Sequence, residues 1–372
     1  MHVRLFLLVS AALLCVLPAS AQDDYDITFL EGDAARAAIV DESVEPYFSL
    51  LCHHEMELKS GITIEGETLG EQRERFKRHY AENVRDFTDE EKEAVANIAS
   101  LAAGLASWDF PRFSEHPWVF IKVTTAVEQG LPHTRGHAIV LPEGVVEFIT
   151  HAHSDDRDEM HAIIMRGVEL MLHEQIHVLQ RLNPEPFQQF YTEHWGLVHV
   201  ESIEYGDGLK AMQVINPDGV DTRWVQSVGS RRSPRYIQPN IFVARFEDRA
   251  SRMPNDFLML AVELRLEGDG VWRPVAAGGT GQALTHMLLD EPSYTAHYGP
   301  STNIYHPNES FADLFAKLIL NEFGSYPEPG FVDDEAGQAQ EAAFRAAVAP
   351  VRSFMAEHYG EVPIEDGGVV ED

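Results

Sequence analysis

The sequence predicts an α+β fold in which helices surround a small β-sheet and a separate β-rich segment. Three observations predict it. Helical periodicity dominates residues 22–115, and strand-like runs follow at Val119–Thr125 and His137–Leu141. Short β-type runs then fill residues 201–300, before helical patterns return over residues 301–359.

The N-terminus has the pattern of a signal peptide. Arg4 supplies a positive charge, Leu5–Leu17 form a short apolar run, and Ala19-Ser20-Ala21 provides small residues for cleavage before Gln22. Residues 1–21 are therefore predicted to be removed. We expect an exported protein, periplasmic or extracellular, with no membrane span, because no later apolar run is long enough to cross a bilayer.

Net charge restricts the possible binding partners, and the cysteine content restricts the possible disulfides. The formal net charge of -32 predicts repulsion from nucleic acids and anionic membranes. Of the two cysteines, only Cys52 remains after the expected cleavage, so no internal disulfide is possible. The apolar residues around Cys52 indicate a buried thiol.

The first two regions of the mature chain have clear helix signals. In residues 22–115, Thr88-Asp89-Glu90-Glu91 forms a capping box before an amphipathic run. In residues 116–200, the two strand-like runs precede a long helix. This helix passes through Ile163 and Leu179 and is expected to end near Asn183-Pro184.

The last regions alternate between β and helical patterns. Gly268-Asp269-Gly270 predicts a hairpin within the β-rich segment at residues 201–300. Helices are then expected over Asn308–Asn321 and from Glu335 to His358. Residues 360–372 form an acidic, Gly-containing tail that we expect to be frayed.

The pattern His173-Glu174-Gln175-Ile176-His177 lies within the predicted long helix. Histidines four residues apart share one helical face, so both imidazoles can bind one metal ion. With three protein ligands, Zn²⁺ retains a position for water. Glu174 lies next to the first histidine and is the expected general base for this water.

Several residues are candidates for the third ligand. Near the motif there are acidic and histidine side chains, but the residues around them form no recognisable metal-ligand motif. Farther along, Asn308-Glu309-Ser310-Phe311-Ala312-Asp313 places Glu309 and Asp313 on one helical face. Glu309 is the favoured ligand, and the nearer alternatives are Glu193, His194, His199 and Glu201.

Together, HExxH and the distant N-E-x-x-x-D helix resemble the gluzincin metallopeptidases. The resemblance covers only these two helices and the preceding strand. It implies a zincin-like fold with a strand over the substrate cleft, Zn²⁺ bound by His173, His177 and Glu309, and a hydrogen bond that Asp313 accepts from His173. The spacing departs from that of thermolysin-like enzymes, because 131 residues separate His177 from Glu309. Residues 201–300 would therefore be an insertion, and the branch stays unassigned.

The resemblance also implies a tyrosine or histidine that stabilises the oxyanion, and Tyr298 and Tyr305 are the candidates. The expected function is that of a secreted zinc-dependent metallohydrolase, a peptidase that cleaves amide bonds of a peptide substrate with zinc-activated water. Two alternatives stay open. One is a non-catalytic binding protein with a structural zinc site, and the other is a hydrolase of non-peptide amides or esters.

Overall fold

The structure is a computed structural model of the chain, and it contains helices and two β-sheets, as the sequence predicts. The predicted signal peptide lies outside the described residues, as do residues 362–372 of the acidic tail. The described residues are 25–151, 157–230, 232–244, 251–278, 281–299, 301–323 and 335–361.

The first sheet has five strands and lies at the centre of the N-terminal half. β1, β3 and β5 run parallel, while β2 and β4 pair antiparallel with β3 and β5 respectively. β4 is an edge strand, since the order along the sheet is β1-β3-β5-β4. The bounds are β1 Ile27–Leu30, β2 Val84–Arg85, β3 Trp118–Val123, β4 His133–Arg135 and β5 Ala138–Pro142.

Alternating side chains of the first sheet enter two separate cores. On β3, Phe120 joins the core beneath the long motif-bearing helix, whereas Ile121 joins the core beneath the N-terminal helices. On β5, Ile139 and Val140 divide in the same way. The sheet is therefore covered by helices on both faces, which fixes the strands relative to the helix that bears the histidines.

The region predicted to be mainly helical contributes five helices and also two strands that the sequence analysis does not predict, β1 and β2. The capping box at Thr88 is confirmed, because its side chain accepts the N–H of Glu91 and the Glu91 carboxylate accepts the N–H of Thr88. The helices are α1 Gly32–Ile39, α2 Tyr47–Leu50, α3 His53–Ser60, α4 Leu69–Glu82 and α5 Asp89–Ser107.

The long helix predicted to bear the histidines is present and ends where Asn183-Pro184 predicts. It packs closely on α5 at Gly167, where an added Cβ would lie 3.1 Å from Ile98 Cγ2. Glycine thus allows the two helices to approach closely. The helices of this region are α6 Glu143–Thr150, α7 Arg157–Leu182 and α8 Pro184–Trp195, with the short α9 Asp207–Lys210 farther on.

The second sheet has six antiparallel strands and occupies most of the β-rich segment. The predicted hairpin is confirmed, because β9 pairs antiparallel with β10 across Gly268-Asp269-Gly270. The order is β10-β9-β8-β7-β6, with β11 also paired to β9. The bounds are β6 Leu197–His199, β7 Trp224–Ser230, β8 Ser233–Val243, β9 Phe257–Leu266, β10 Trp272–Pro274 and β11 Thr285–Met287.

The last elements of the described residues are helices, as predicted. α10 (Pro292–Thr295) is one turn, α11 spans Pro307–Glu322 and packs along α7, and α12 spans Glu335–Tyr359 and packs on α11. Among the described residues, no helix combines the length and apolarity that crossing a bilayer requires.

Candidate metal centre

His173 and His177 lie one turn apart on the same face of α7. Their Nε2 atoms are 3.0 Å apart, and the rings meet edge to face with centroids 4.7 Å apart. His177 is buried and His173 is partly exposed. The two imidazoles therefore converge on one point, as the four-residue spacing predicts.

Glu309, in the first turn of α11, completes this group. His306 caps the helix by accepting the N–H of Asn308. The Glu309 carboxylate spans the two histidines, with Oε2 at 3.3 Å from His173 Nε2 and Oε1 at 3.4 Å from His177 Nε2.

The three ligand atoms lie within 4.8 Å of one another, and this is the one such group found among the described residues. The group could therefore hold a metal ion. The alternative ligands nearer in sequence are not brought to it. All four are exposed on α8 or around β6: Glu193, His194, His199 and Glu201.

Gln180 fixes the orientation of His177. Its amide nitrogen donates to Tyr191 Oη at 3.0 Å and to the carbonyl of Asn308 at 3.1 Å, so its oxygen is the acceptor facing His177. His177 Nδ1 donates to that oxygen at 2.8 Å. The proton is thereby held on Nδ1, and Nε2 retains the lone pair that a metal requires.

The charges of the group fit a cation. Burial alone would lower the pKa of His173, but the hydrogen bond and charge of Glu309 raise it to about 9. Burial would raise the pKa of Glu309, and the imidazoles of His177 and His173 instead hold it well below its usual range. Positive charge is thus favoured between these side chains, and a divalent ion with N and O ligands would supply it.

Glu174 lies beside the histidines and is buried. Its Oε2 has no hydrogen-bond partner within the described part of the chain. Burial, followed by the negative charge of Asp218, raises the pKa of the Glu174 carboxyl well above its usual range. A carboxyl with a raised pKa and a free oxygen can accept and return a proton.

A turn at residues 216–219 reaches the group from the β-rich segment, a contact that the sequence does not predict. The Asn216 side-chain nitrogen donates to Glu309 Oε1 at 2.8 Å and to Tyr305 Oη at 2.7 Å. Asn-Pro-Asp-Gly is a turn signature, so the sequence itself indicates a turn here. No sequence pattern indicates that this turn contacts Glu309.

The same turn is anchored on both sides. An added Cβ on Gly219 would lie 2.5 Å from His306 Nδ1, so the turn packs directly on the cap of α11. The Asp218 carboxylate accepts the backbone N–H of Thr134 at 2.8 Å and lies 3.6 Å from the Arg181 guanidinium. The backbone N–H of Thr134, on the edge strand β4, is therefore already hydrogen-bonded within the protein.

The structure brings only one of the two candidate tyrosines to the group. Tyr305 Oη lies near Glu309, and burial together with the Glu309 charge raises the pKa of the Tyr305 hydroxyl well above its usual range. Tyr298 instead packs in the core, with its ring centroid 5.0 Å from that of Trp195. Tyr298 is thus not placed at the metal group.

Asp313 lies one turn beyond Glu309, as the pattern predicts. Its carboxylate accepts hydrogen bonds from Ser301 and from Lys317, the latter at 2.7 Å. The negative charge of Asp313 contributes to the raised pKa of His173. A direct bond from Asp313 to His173 stays a prediction.

A cavity of about 390 Å³ opens onto the group. This volume lies in the range of ligand sites. Its walls come from the N-terminal region, α7, the β-rich segment and α11, so the β-rich segment helps to shape it. Its polar lining includes Lys59, Glu128, His133, Arg166, Glu169, His173, Glu174, Asn216, Asp218, Asn303, Tyr305, Glu309 and Asp313.

Comparison with models of protein families, with curated proteins and with solved structures gives no match.

Proposed function

We propose that the protein is an exported, zinc-dependent hydrolase of the gluzincin type that cleaves peptide bonds. One observation carries the proposal: His173, His177 and Glu309 converge within 4.8 Å, and the buried Glu174 lies directly beside them. A zincin-like arrangement is supported by the edge strand β4 next to α7 and by the packing of α11 along α7.

Zinc at this group would polarise a substrate carbonyl and lower the pKa of a bound water. The chain's own residues would do the rest. Glu174 accepts a proton through its free Oε2 and returns it to the leaving amine. Tyr305 would donate its hydroxyl hydrogen to the carbonyl oxygen in place of the Glu309 carboxylate that it faces here, while Asn216 bonds the oxygen of that hydroxyl.

The number of ligands favours an enzyme over a structural site. Structural zinc sites are usually closed by four protein ligands, whereas catalytic sites use three and keep one position open. The group found among the described residues has three members, and a cavity opens onto it. Hydrolysis of a non-peptide amide or ester would use the same residues, so the substrate panel must include both classes.

Substitution Glu174→Gln tests the proposal. We expect it to lower kcat/KM for a mixed peptide library by about 10³-fold, because a carboxamide cannot accept the proton. Zinc content should stay at one per chain. Glu147→Gln, on the exposed face of α6, is the control and should retain full activity. Unchanged turnover in the Glu174 variant would show that this residue is not the general base.

A further inference from the structure

Arg166 lies on the same helix and the same cavity as the metal group. With Leu170, His173 and Glu174 it lines the cavity along one face of α7, at spacings of four, three and one residues. It precedes His173 by seven residues, which corresponds to about 10 Å along the helix axis. The side chain is exposed, so it stands at the mouth of the cavity.

Arg166 differs from Lys59, the other basic side chain of the cavity lining, in having no partner among the described residues. Within the described part of the chain it makes no hydrogen bond or ion pair. By contrast, three other charged residues of the lining form ion pairs. Lys59 pairs with Glu128 at 2.8 Å, Asp218 with Arg181 at 3.6 Å, and Asp313 with Lys317 at 2.7 Å.

At the metal group, the Glu309 carboxylate faces the two histidines. A divalent ion bound there would add positive charge, and Arg166 provides a second cationic point in the same cavity. The carboxylates of Glu169 and Glu174 also line this cavity, so attraction for an anion is local to Arg166 and does not extend to the whole cavity.

We propose that Arg166 binds a carboxylate of the substrate. This inference rests on the proposed function and names the substrate class: peptides with a carboxylate a few residues from the cleaved bond. The rise of ~10 Å between the backbone positions of Arg166 and His173 corresponds to a few residues of extended chain, which covers about 3.3–3.6 Å per residue. The guanidinium fork pairs with a carboxylate through two parallel hydrogen bonds. The carboxylate is a chain terminus or an Asp or Glu side chain.

Equilibrium binding to the zinc-loaded Glu174→Gln protein tests the inference without turnover. The probes are fluorescent hexapeptides of one neutral sequence in three forms: a C-terminal carboxamide, a free C-terminal carboxylate, and a carboxamide with one Gln replaced in turn by Glu. We expect at least one carboxylate probe to bind about tenfold more tightly than the neutral probe, and this preference should weaken as salt is added.

Adding Arg166→Gln should bring that affinity ratio to about one, and Arg166→Glu should invert it. Arg345→Gln is the matched control, because it removes the same charge from an exposed arginine of α12 that is not part of the cavity. This control should keep the preference. Tighter binding of the free C-terminus identifies a terminal carboxylate, and tighter binding of one Glu probe identifies a side chain.

Equal affinity for all probes, or a preference that Arg166→Gln and Arg345→Gln reduce alike, would overturn the assignment of Arg166. The two proposals fail separately. If the wild-type protein cleaves no peptide, yet the carboxylate preference depends on Arg166, hydrolysis is wrong and the carboxylate site stands. If peptides are cleaved and the carboxylate preference is absent, hydrolysis stands and the carboxylate site is wrong.

Discussion

Asn216 connects two functional side chains through one amide group. It donates both to the ligand Glu309 and to Tyr305, so it sets the position of a carboxylate and a hydroxyl at once. Residues that orient metal ligands in this way usually change metal affinity 10- to 100-fold when they are replaced. Asn216 is thus a positioning residue.

Substitution Asn216→Asp should weaken zinc affinity by about tenfold or more, because the new carboxylate cannot donate to Glu309 and repels it. Competition with a chromogenic chelator measures this affinity. Asn303→Asp is the control, since it introduces the same charge elsewhere in the cavity lining. Equal weakening in both variants would mean that charge alone, and not the two hydrogen bonds, accounts for the effect.

Local spacing explains which site residues could be predicted. His173, Glu174 and His177 share one helix, and Glu309 lies in a short pattern of its own, so sequence alone selects them as candidates. Gln180 also had a signal, because it lies three residues after His177 and thus near it on the helix. Other residues depend on tertiary contacts: the chain brings Asn216 to Glu309 across 93 positions, and it places Tyr305 at the group while Tyr298 enters the core.

The turn at residues 216–219 holds α11 in place beside α7. It packs on His306 at the start of α11 through Gly219, and Asn308 donates to the carbonyl of Asp218 at 2.8 Å. The Glu309 carboxylate follows directly in the first turn of this helix. The position of the third ligand therefore depends on a turn contributed by the β-rich segment.

Substitution Gly219→Ala should destabilise the protein by about 1 to 3 kcal/mol and weaken zinc binding, because its Cβ would overlap the His306 ring. Urea unfolding and chelator competition measure the two effects. Gly208→Ala provides the control, since nothing lies within 4 Å of an added Cβ there. If Gly219→Ala is as stable as Gly208→Ala, the turn is not held against His306.

The length of an element decided whether it could be predicted. The long helices α7 and α11 show several turns of periodicity, and the sequence located both. The strands β1, β2 and β4 have four, two and three residues, too short for an alternating pattern, and they were missed. β1 and β2 take their places in the sheet by pairing with β3, which lies distant in sequence, whereas β4 pairs with the neighbouring strand β5.

At the scale of the whole molecule, two buried charges of α3 join the N-terminal region to the β-rich segment. The Glu55 carboxylate accepts the N–H of Ile215 at 2.5 Å, and Lys59 donates to the carbonyl of Ile215 at 2.8 Å. Ile215 immediately precedes Asn216. The backbone N–H and the carbonyl of Ile215 are thus both held by side chains of α3. These two bonds position the turn that reaches the metal group.

The buried Glu55 should make stability depend on pH. Burial raises the pKa of its carboxyl to about 7, although the charge of Lys59 opposes the rise. A carboxyl with a raised folded-state pKa favours the protonated form. Its stabilising contribution is therefore complete below its unfolded pKa and is lost as pH rises through about 7.

We expect Glu55→Gln, which removes this titration, to gain stability relative to the wild-type protein between about pH 5 and about pH 8.5, by up to about 3 kcal/mol. Urea unfolding of both proteins at the two pH values measures the difference. Glu57→Gln, at the partly exposed neighbouring position on α3, is the control. Parallel pH profiles for wild type and Glu55→Gln would contradict the raised pKa.

Zinc content is the most direct test of the account, because the proposed hydrolysis depends on His173, His177 and Glu309 binding one ion. Wild type, Glu309→Ala and the control Glu193→Ala would be purified, loaded with zinc, desalted and analysed by elemental analysis. The account predicts one zinc per chain in the wild type and in Glu193→Ala, and a large loss in Glu309→Ala. Zinc retained in full by Glu309→Ala, or absent from the loaded wild type, would contradict it.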